Sequence, residues 1–252
     1  MKIEIIPCLK DNYSYIVIDE ANNDACVIDP SESEPIIEYL EEKRIFLKFI
    51  LNTHHHYDHV GGNKKLKKKY AAKVIGYKND SKRIPGIDIL VNNNEIWKYE
   101  NFEARIIHIP GHTTGHVCFY FYKDKIVFTG DTLFSLGCGR IFEGTPEMMF
   151  DSLNKLKSLP EKTKVFCGHE YTLNNALFLE TIIKNDDLSK KIEDLKKIRE
   201  RQEPSIPTTI GEEKELNFFL RSDEEDFKNQ LKMTNEKDVD VFTYLRELKD
   251  SF

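Results

Sequence analysis

The segment Thr53-His54-His55-His56-Tyr57-Asp58-His59 constrains this chain more than any other. The chain holds eight histidines, and four of them stand within these seven positions. Imidazole nitrogen and carboxylate oxygen are both donors for a first-row divalent ion, so such a cluster points to a metal site. If the backbone stays extended, side chains alternate, and His54, His56 and Asp58 share one face while His55 and Tyr57 point the other way. His59 adds an imidazole one position on. This density exceeds what one tetrahedral ion takes from so short a stretch.

The placement of the cluster recurs along the chain. Phe49-Ile50-Leu51 leads into it, Ile106–Ile109 leads into Pro110-Gly111-His112, Ile126-Val127-Phe128 into Thr129-Gly130-Asp131, and Val165-Phe166-Cys167 into Gly168-His169. Four apolar strands each end in a metal-ligand residue type. Strand ends are rigid and glycine permits close backbone approach, so these loops are expected to converge on one centre. His54, His56, Asp58, His59, His112, Asp131 and His169 make seven ligands, and a carboxylate that bridges gives two four-ligand shells. Donors without thiolate suit Zn(II), Fe(II) or Mn(II). His55 and His108 are expected to be structural, and His116 to orient a ligand from outside the shell.

The rest of the chain is that of an ordinary globular protein. Of 252 residues, 40 % are apolar and 32 % charged, enough for a core under a solvated surface. The net charge of -6 argues against a general nucleic-acid binder. No apolar run approaches the roughly 20 residues that span a membrane, and the start reads as a strand and not as a targeting segment. The five cysteines are scattered without a C-x-x-C pair, which suits a reducing cytoplasm. Cys138, between two glycines, is tempting as a nucleophile, but a tight loop accounts for it better. The Lys64–Lys69 run is expected to be a solvated helix face.

Up to about residue 170, short β-rich runs alternate with short helical ones. Strands are expected at Ile3–Ile6, Tyr15–Ile18, Ala25–Ile28, Phe49–Leu51, Lys73–Gly76, Phe102–Ile109, Val117–Tyr122, Lys125–Phe128 and Lys164–Cys167. Pro35–Lys43 reads as a helix. Thr145-Pro146 starts another, with Phe150, Leu153, Leu156 and Leu159 as its buried stripe. Beyond residue 170 helical patterns dominate: Leu188, Ile192, Leu195 and Ile198 mark one helix, Pro204 and Pro207 close it, and Val239 to Lys249 forms the last. The expected assembly is a mixed domain over 1–170 and a helical one over 171–252.

Several longer motifs accompany the histidine cluster: G-H-T-T-G-H, F-T-G-D-T-L-F, G-C-G-R-I-F-E-G-T from Gly137 to Thr145, C-G-H-E-Y-T, E-P-S-I-P-T-T from Glu203 to Thr209, the early D-N-Y and the final R-E-L-K-D. Together they resemble the metallo-β-lactamase superfamily and, within it, the hydroxyacylglutathione hydrolase branch known as glyoxalase II. The resemblance extends over essentially the whole chain. It implies an α+β fold, a four-layer αββα sandwich with a smaller C-terminal all-helical domain. It implies that His54, His56 and His112 hold one metal, that Asp58, His59 and His169 hold a second, and that Asp131 bridges them. It assigns Arg140, Tyr171, Arg246 and Lys249 to the glutathione moiety. Phe142 stands where some relatives carry a tyrosine whose hydroxyl contacts the ligand.

The implied activity is hydrolysis of S-D-lactoylglutathione and other S-2-hydroxyacylglutathiones by a cytoplasmic monomer, with no nucleic-acid or membrane partner. Two ions lower the pKa of a shared water, Asp58 takes or orients its proton, and no Ser or Cys nucleophile is needed. The nearest rival is a glutathione persulfide dioxygenase of the same superfamily, which uses a single iron and departs from the F-E-G-T segment and the helical tail. Lactonase and tRNA-processing branches fit the tail and the G-C-G-R segment less well. A rival of another class is a non-catalytic metal-binding protein, against which the complete ligand set argues.

Overall fold

The computed structural model describes residues Met1–Phe252 and divides into two compact units, one of residues 1–108 with 115–130 and one of 109–114 with 131–252.

In the first unit, β1 (Lys2–Cys8), β2 (Asn12–Asp19), β3 (Asp24–Ile28), β4 (Phe46–Leu51), β5 (Lys73–Tyr77) and β6 (Ile87–Val91) pair in sequence order into one sheet. The first three strands run antiparallel and the last four parallel; helical crossovers join β3 to β4 and β4 to β5, and a loop with one 3-10 turn (Lys78–Asp80) joins β5 to β6. Those crossovers are α1 (Glu34–Lys43), the single turn α2 (Tyr57–Val60) and α3 (Asn63–Tyr70). Four strands follow as an antiparallel meander: β7 (Ile96–Tyr99), β8 (Phe102–His108), β9 (Val117–Phe121) and β10 (Ile126–Gly130).

Strand alternation divides the apolar residues between two faces. Ile16 and Ile18 of β2 join Ile36 and Leu40 of α1 and Leu66 of α3 in one cluster. Tyr15, from the opposite face of β2, meets Phe128 of β10 at 5.2 Å between ring centroids, and Phe49 of β4 meets Trp97 of β7 at 5.1 Å. Sheet therefore packs on meander through one face and on helices through the other. Leu66 is the only fully buried side chain of the Lys64–Lys69 stretch, so the lysine run is the solvated helix face it was expected to be.

The second unit begins with the short hairpin β11 (Leu133–Phe134) and β12 (Gly137–Cys138), then α4 (Pro146–Lys157) and β13 (Lys164–Cys167). Next come α5 (Thr172–Ile182), α6 (Asp186–Glu200), β14 (Thr208–Thr209) paired antiparallel to β13, α7 (Ile210–Leu216), α8 (Glu225–Gln230) and α9 (Asp238–Ser251). The Thr145 hydroxyl accepts from the Met148 amide and Pro146 opens α4, as its sequence demands. Its buried stripe differs from the expected one: Met149, Ser152, Leu153 and Leu156 face inward, Phe150 is half-buried, and Leu159 lies beyond the helix end. A strict three-residue recurrence drifts off the inward face of a helix with 3.6 residues per turn. The strands β6, β7, β11, β12 and β14 were not expected; most are short or carry exposed alternate residues.

Candidate metal and substrate site

In the first unit the histidine cluster follows β4, but its backbone does not stay extended. His56 is the N-cap of α2, so Asp58 and His59 sit on a helical turn. The alternation argument fails for Asp58, and the turn sets where both residues point. The rings of His54 and His56 lie 4.7 Å apart and those of His54 and His59 4.2 Å apart, so the cluster is compact.

Its organiser is Asp29, which the sequence reading passed over. Asp29 follows β3 with φ of 46°, in the left-handed region. Its Oδ1 accepts from the Thr53 amide at 2.7 Å, and its Oδ2 accepts from the Thr53 hydroxyl at 2.6 Å and lies 3.1 Å from His59 Nδ1. An oxygen of Asp29 also lies within 4.8 Å of ring nitrogens of His54 and His59, as a ligand would. Both of its oxygens are nevertheless engaged within the protein, which makes it an orienting group. With Nδ1 of His59 donating to Asp29, the Nε2 lone pair faces Asp58 Oδ2 at 3.5 Å. Two acceptors facing each other across that distance fit a cation between them. Asn12 donates to the same Asp58 oxygen at 2.9 Å and holds the carboxylate from behind.

His116 stacks on His54 with ring centroids 4.6 Å apart, in keeping with an orienting role. His55 turns away from the cluster and meets the buried carboxylate of Asp80 at 3.1 Å, a contact shared with Arg83. His108 stacks on Tyr77. These contacts are in keeping with the structural role expected of both.

In the second unit, His112 Nδ1 donates to the Arg140 carbonyl at 2.7 Å, which leaves the lone pair on Nε2. That Nε2 lies 3.5 Å from Asp131 Oδ2, and His169 Nε2 lies 3.2 Å from the same oxygen. Two imidazoles thus converge on one carboxylate oxygen, and the donor chemistry again suits a divalent ion. Gly139 makes this packing possible: a Cβ there would lie 1.8 Å from the Asp131 carbonyl oxygen. His169 is stacked on Tyr171 at 4.7 Å.

A cavity of about 390 Å³ in the second unit is bordered by Arg140, Tyr171, Arg246 and Lys249, the residues that the resemblance assigns to the glutathione moiety, and by Phe142. His112 and Asp131 border it too. Phe142 is exposed, with its ring 5.2 Å from that of His112. Asp250 takes Arg140 Nε and Arg246 Nη2 on a single oxygen, each at 3.1 Å. Arg246 also donates to the Cys138 carbonyl at 2.8 Å. Burial, with Arg246 beside it, lowers the Lys249 pKa to about 8. All five cysteines are buried and none is in a disulfide, and burial pushes the Cys138 thiol up, away from nucleophile chemistry.

The fold and these donors define a member of the metallo-β-lactamase superfamily, whose family model matches residues 10–89 and 100–169. Residues 170–252 match the model for the hydroxyacylglutathione hydrolase C-terminus. The chain is 58 % identical to a hydroxyacylglutathione hydrolase of Pelagibacter ubique, over all of both chains. It is 43 % identical to one of Rhodospirillum rubrum, over 100 % of this chain and 99 % of the other. Among solved structures it resembles ETHE1 from Myxococcus xanthus, with a TM-score of 0.71 and 23 % identity over 98 % of this chain and 90 % of that one. It also resembles the BLEG-1 B3 metallo-β-lactamase, with a TM-score of 0.68 and 24 % identity over 87 % and 99 %. These two likenesses concern the fold, an α+β metallo-β-lactamase fold followed by a helical C-terminal part. The chain belongs to the hydroxyacylglutathione hydrolase family, a family of hydrolases within that superfamily.

Proposed function

We propose that this chain hydrolyses S-D-lactoylglutathione and other S-2-hydroxyacylglutathiones to the hydroxy acid and glutathione, the second step of methylglyoxal detoxification. Full-length identity of 58 % to a hydroxyacylglutathione hydrolase carries this reading. The cavity supports it: Arg140, Arg246 and Lys249 border the same space as His112 and Asp131, as a ligand with two carboxylates beside its reacting group requires.

His54, His56 and His112 would hold one ion, Asp58, His59 and His169 the other, and Asp131 both. Divalent ions are supported by the fold and by the imidazole and carboxylate donors. Zn(II) is the proposed identity, with Fe(II) or Mn(II) as substitutes in the same donor set. With divalent ions held there, the site would have a source of hydroxide near neutral pH and a Lewis acid for the thioester carbonyl. Asp58, held by Asn12, would take or orient the proton of the attacking water. The leaving thiol has a pKa of about 8.5, so the residues need supply little protonation. Arg140, Arg246 and Lys249 would bind the ligand's carboxylates, while Tyr171 and Phe142 pack against its peptide.

Residues 1–170 would form the catalytic domain and 171–252 the substrate-binding one. No helix is long and apolar enough to cross a membrane. A cytoplasmic monomer with a small-molecule substrate and no nucleic-acid partner completes the proposal.

The test is loss of thioester absorbance when metal-loaded protein meets S-D-lactoylglutathione, abolished by chelation and by His54→Ala. Absence of turnover by a metal-loaded sample would overturn the reading. Oxygen consumption with glutathione persulfide would favour a dioxygenase instead.

A further inference from the structure

Three cations border the cavity of the second unit, and they are held differently. Arg140 and Arg246 both bond Asp250. Lys249 makes no ion pair; its ammonium has one long hydrogen bond, 3.4 Å to the Asn174 carbonyl. What surrounds it is aromatic. Nζ lies 5.1 Å from the ring centroid of Phe178 and 4.7 Å from that of Phe252, and the two rings meet edge-on at 5.5 Å. Phe178 is fully buried in α5, whereas Phe252 is 57 % exposed and borders the cavity.

This arrangement solves a definite problem. A lysine on a flexible stem loses much rotamer freedom when a ligand immobilises it. A carboxylate partner would hold it beforehand but would cancel its charge. Aromatic faces hold an ammonium through the ring quadrupole and leave the charge in place. We propose that Phe252, together with Phe178, is a positioning residue that clamps the Lys249 ammonium at the cavity wall, ready for an anionic group of the ligand. The proposal rests on the glutathione-thioester reading for the ligand, though not for the clamp itself. The lowered pKa of Lys249 is in keeping with this enclosure; the charged and titratable groups that act on it are Arg246 on α9 and Cys138 on β12, and Asp250 on α9 borders the same cavity.

The experiment uses the full metal-loaded chain with Phe252→Leu and Phe252→Trp. Kinetics with S-D-lactoylglutathione are read beside calorimetric binding of S-methylglutathione. Phe252→Leu is expected to raise KM and Kd about three- to tenfold with kcat within about twofold, and Phe252→Trp to restore both. In a Lys249→Met background, Phe252→Leu should change neither constant. An unchanged KM and Kd, or an equal loss in the Lys249→Met background, overturns the clamp. A wild-type chain that neither turns over the thioester nor binds S-methylglutathione overturns the functional reading instead. The clamp is then read without ligand, by reductive methylation of the lysines and proton NMR. The Lys249 methyl signals, identified by their loss in Lys249→Arg, should lie upfield through ring currents and move back in Phe252→Leu. Signals at the ordinary lysine position in the wild type would overturn it.

Discussion

Asp29 Oδ2 lies 3.1 Å from His59 Nδ1, and the same oxygen accepts from the Thr53 hydroxyl at 2.6 Å. One buried carboxylate thus sets the tautomer of a candidate ligand and the path of the backbone entering the cluster. Asp29→Asn keeps the shape but places an amide N–H2 against donors. It should weaken metal retention by about ten- to a hundredfold. Metal per chain after dialysis against a weak chelator checks this, and equal retention by the variant would remove Asp29 from the design.

Lys249, with a pKa near 8, is cationic at neutral pH and loses its charge as the pH rises through 8. The KM for an anionic thioester should therefore climb by about threefold or more from pH 7 to pH 9, with the cation-dependent binding lost. Lys249→Arg stays charged throughout this range, so its KM should stay flat over the same interval. Parallel profiles for the two proteins would mean that another group titrates.

Glu213 is fully buried and accepts from the Leu136 amide at 2.8 Å, the Thr208 hydroxyl at 2.8 Å and the Asn217 amide at 2.9 Å. Desolvation raises its pKa to about 7. The folded state therefore holds a proton that the unfolded chain has already lost between about pH 4.5 and 7. The stability linked to that proton is fully present below the unfolded value and is lost as pH rises through 7. Its upper bound is roughly 3 kcal/mol. Urea midpoints measured from pH 5 to pH 8 should fall for the wild type more than for Glu213→Gln, and identical slopes would count against this assignment.

Gly139→Ala would drive a methyl into the Asp131 carbonyl, and backbone would have to move. A displacement of about 1 Å at a reacting centre costs on the order of a hundredfold in rate. The expected outcome is a loss of kcat of that size in a protein whose circular dichroism is unchanged. Wild-type kcat would show that the loop yields without disturbing Asp131.

Much of this was legible beforehand. The strand-then-ligand pattern located four loops because apolar β-runs and imidazoles are conspicuous in a chain with few histidines. The same pattern also marks Ala25–Ile28 followed by Asp29, a fifth strand end whose carboxylate lacked a neighbouring histidine or glycine to single it out. The short strands β11, β12 and β14 were not legible, since two residues carry no periodicity.

The histidine cluster, the motif from Gly137 to Thr145 and the basic pair Arg246 and Lys249 belong to the sequence by itself: residue type and spacing determine donor chemistry and family. Tertiary structure alone decided which nitrogen of His59 and His112 carries the lone pair, because partners such as Asp29 and the Arg140 carbonyl lie 30 and 28 positions away. It alone decided that Asp58 and His59 sit on a helical turn, since a four-residue helix is held by contacts and not by propensity. The aromatic clamp on Lys249 likewise joins α5 to α9, and no local pattern connects Phe178 with Phe252.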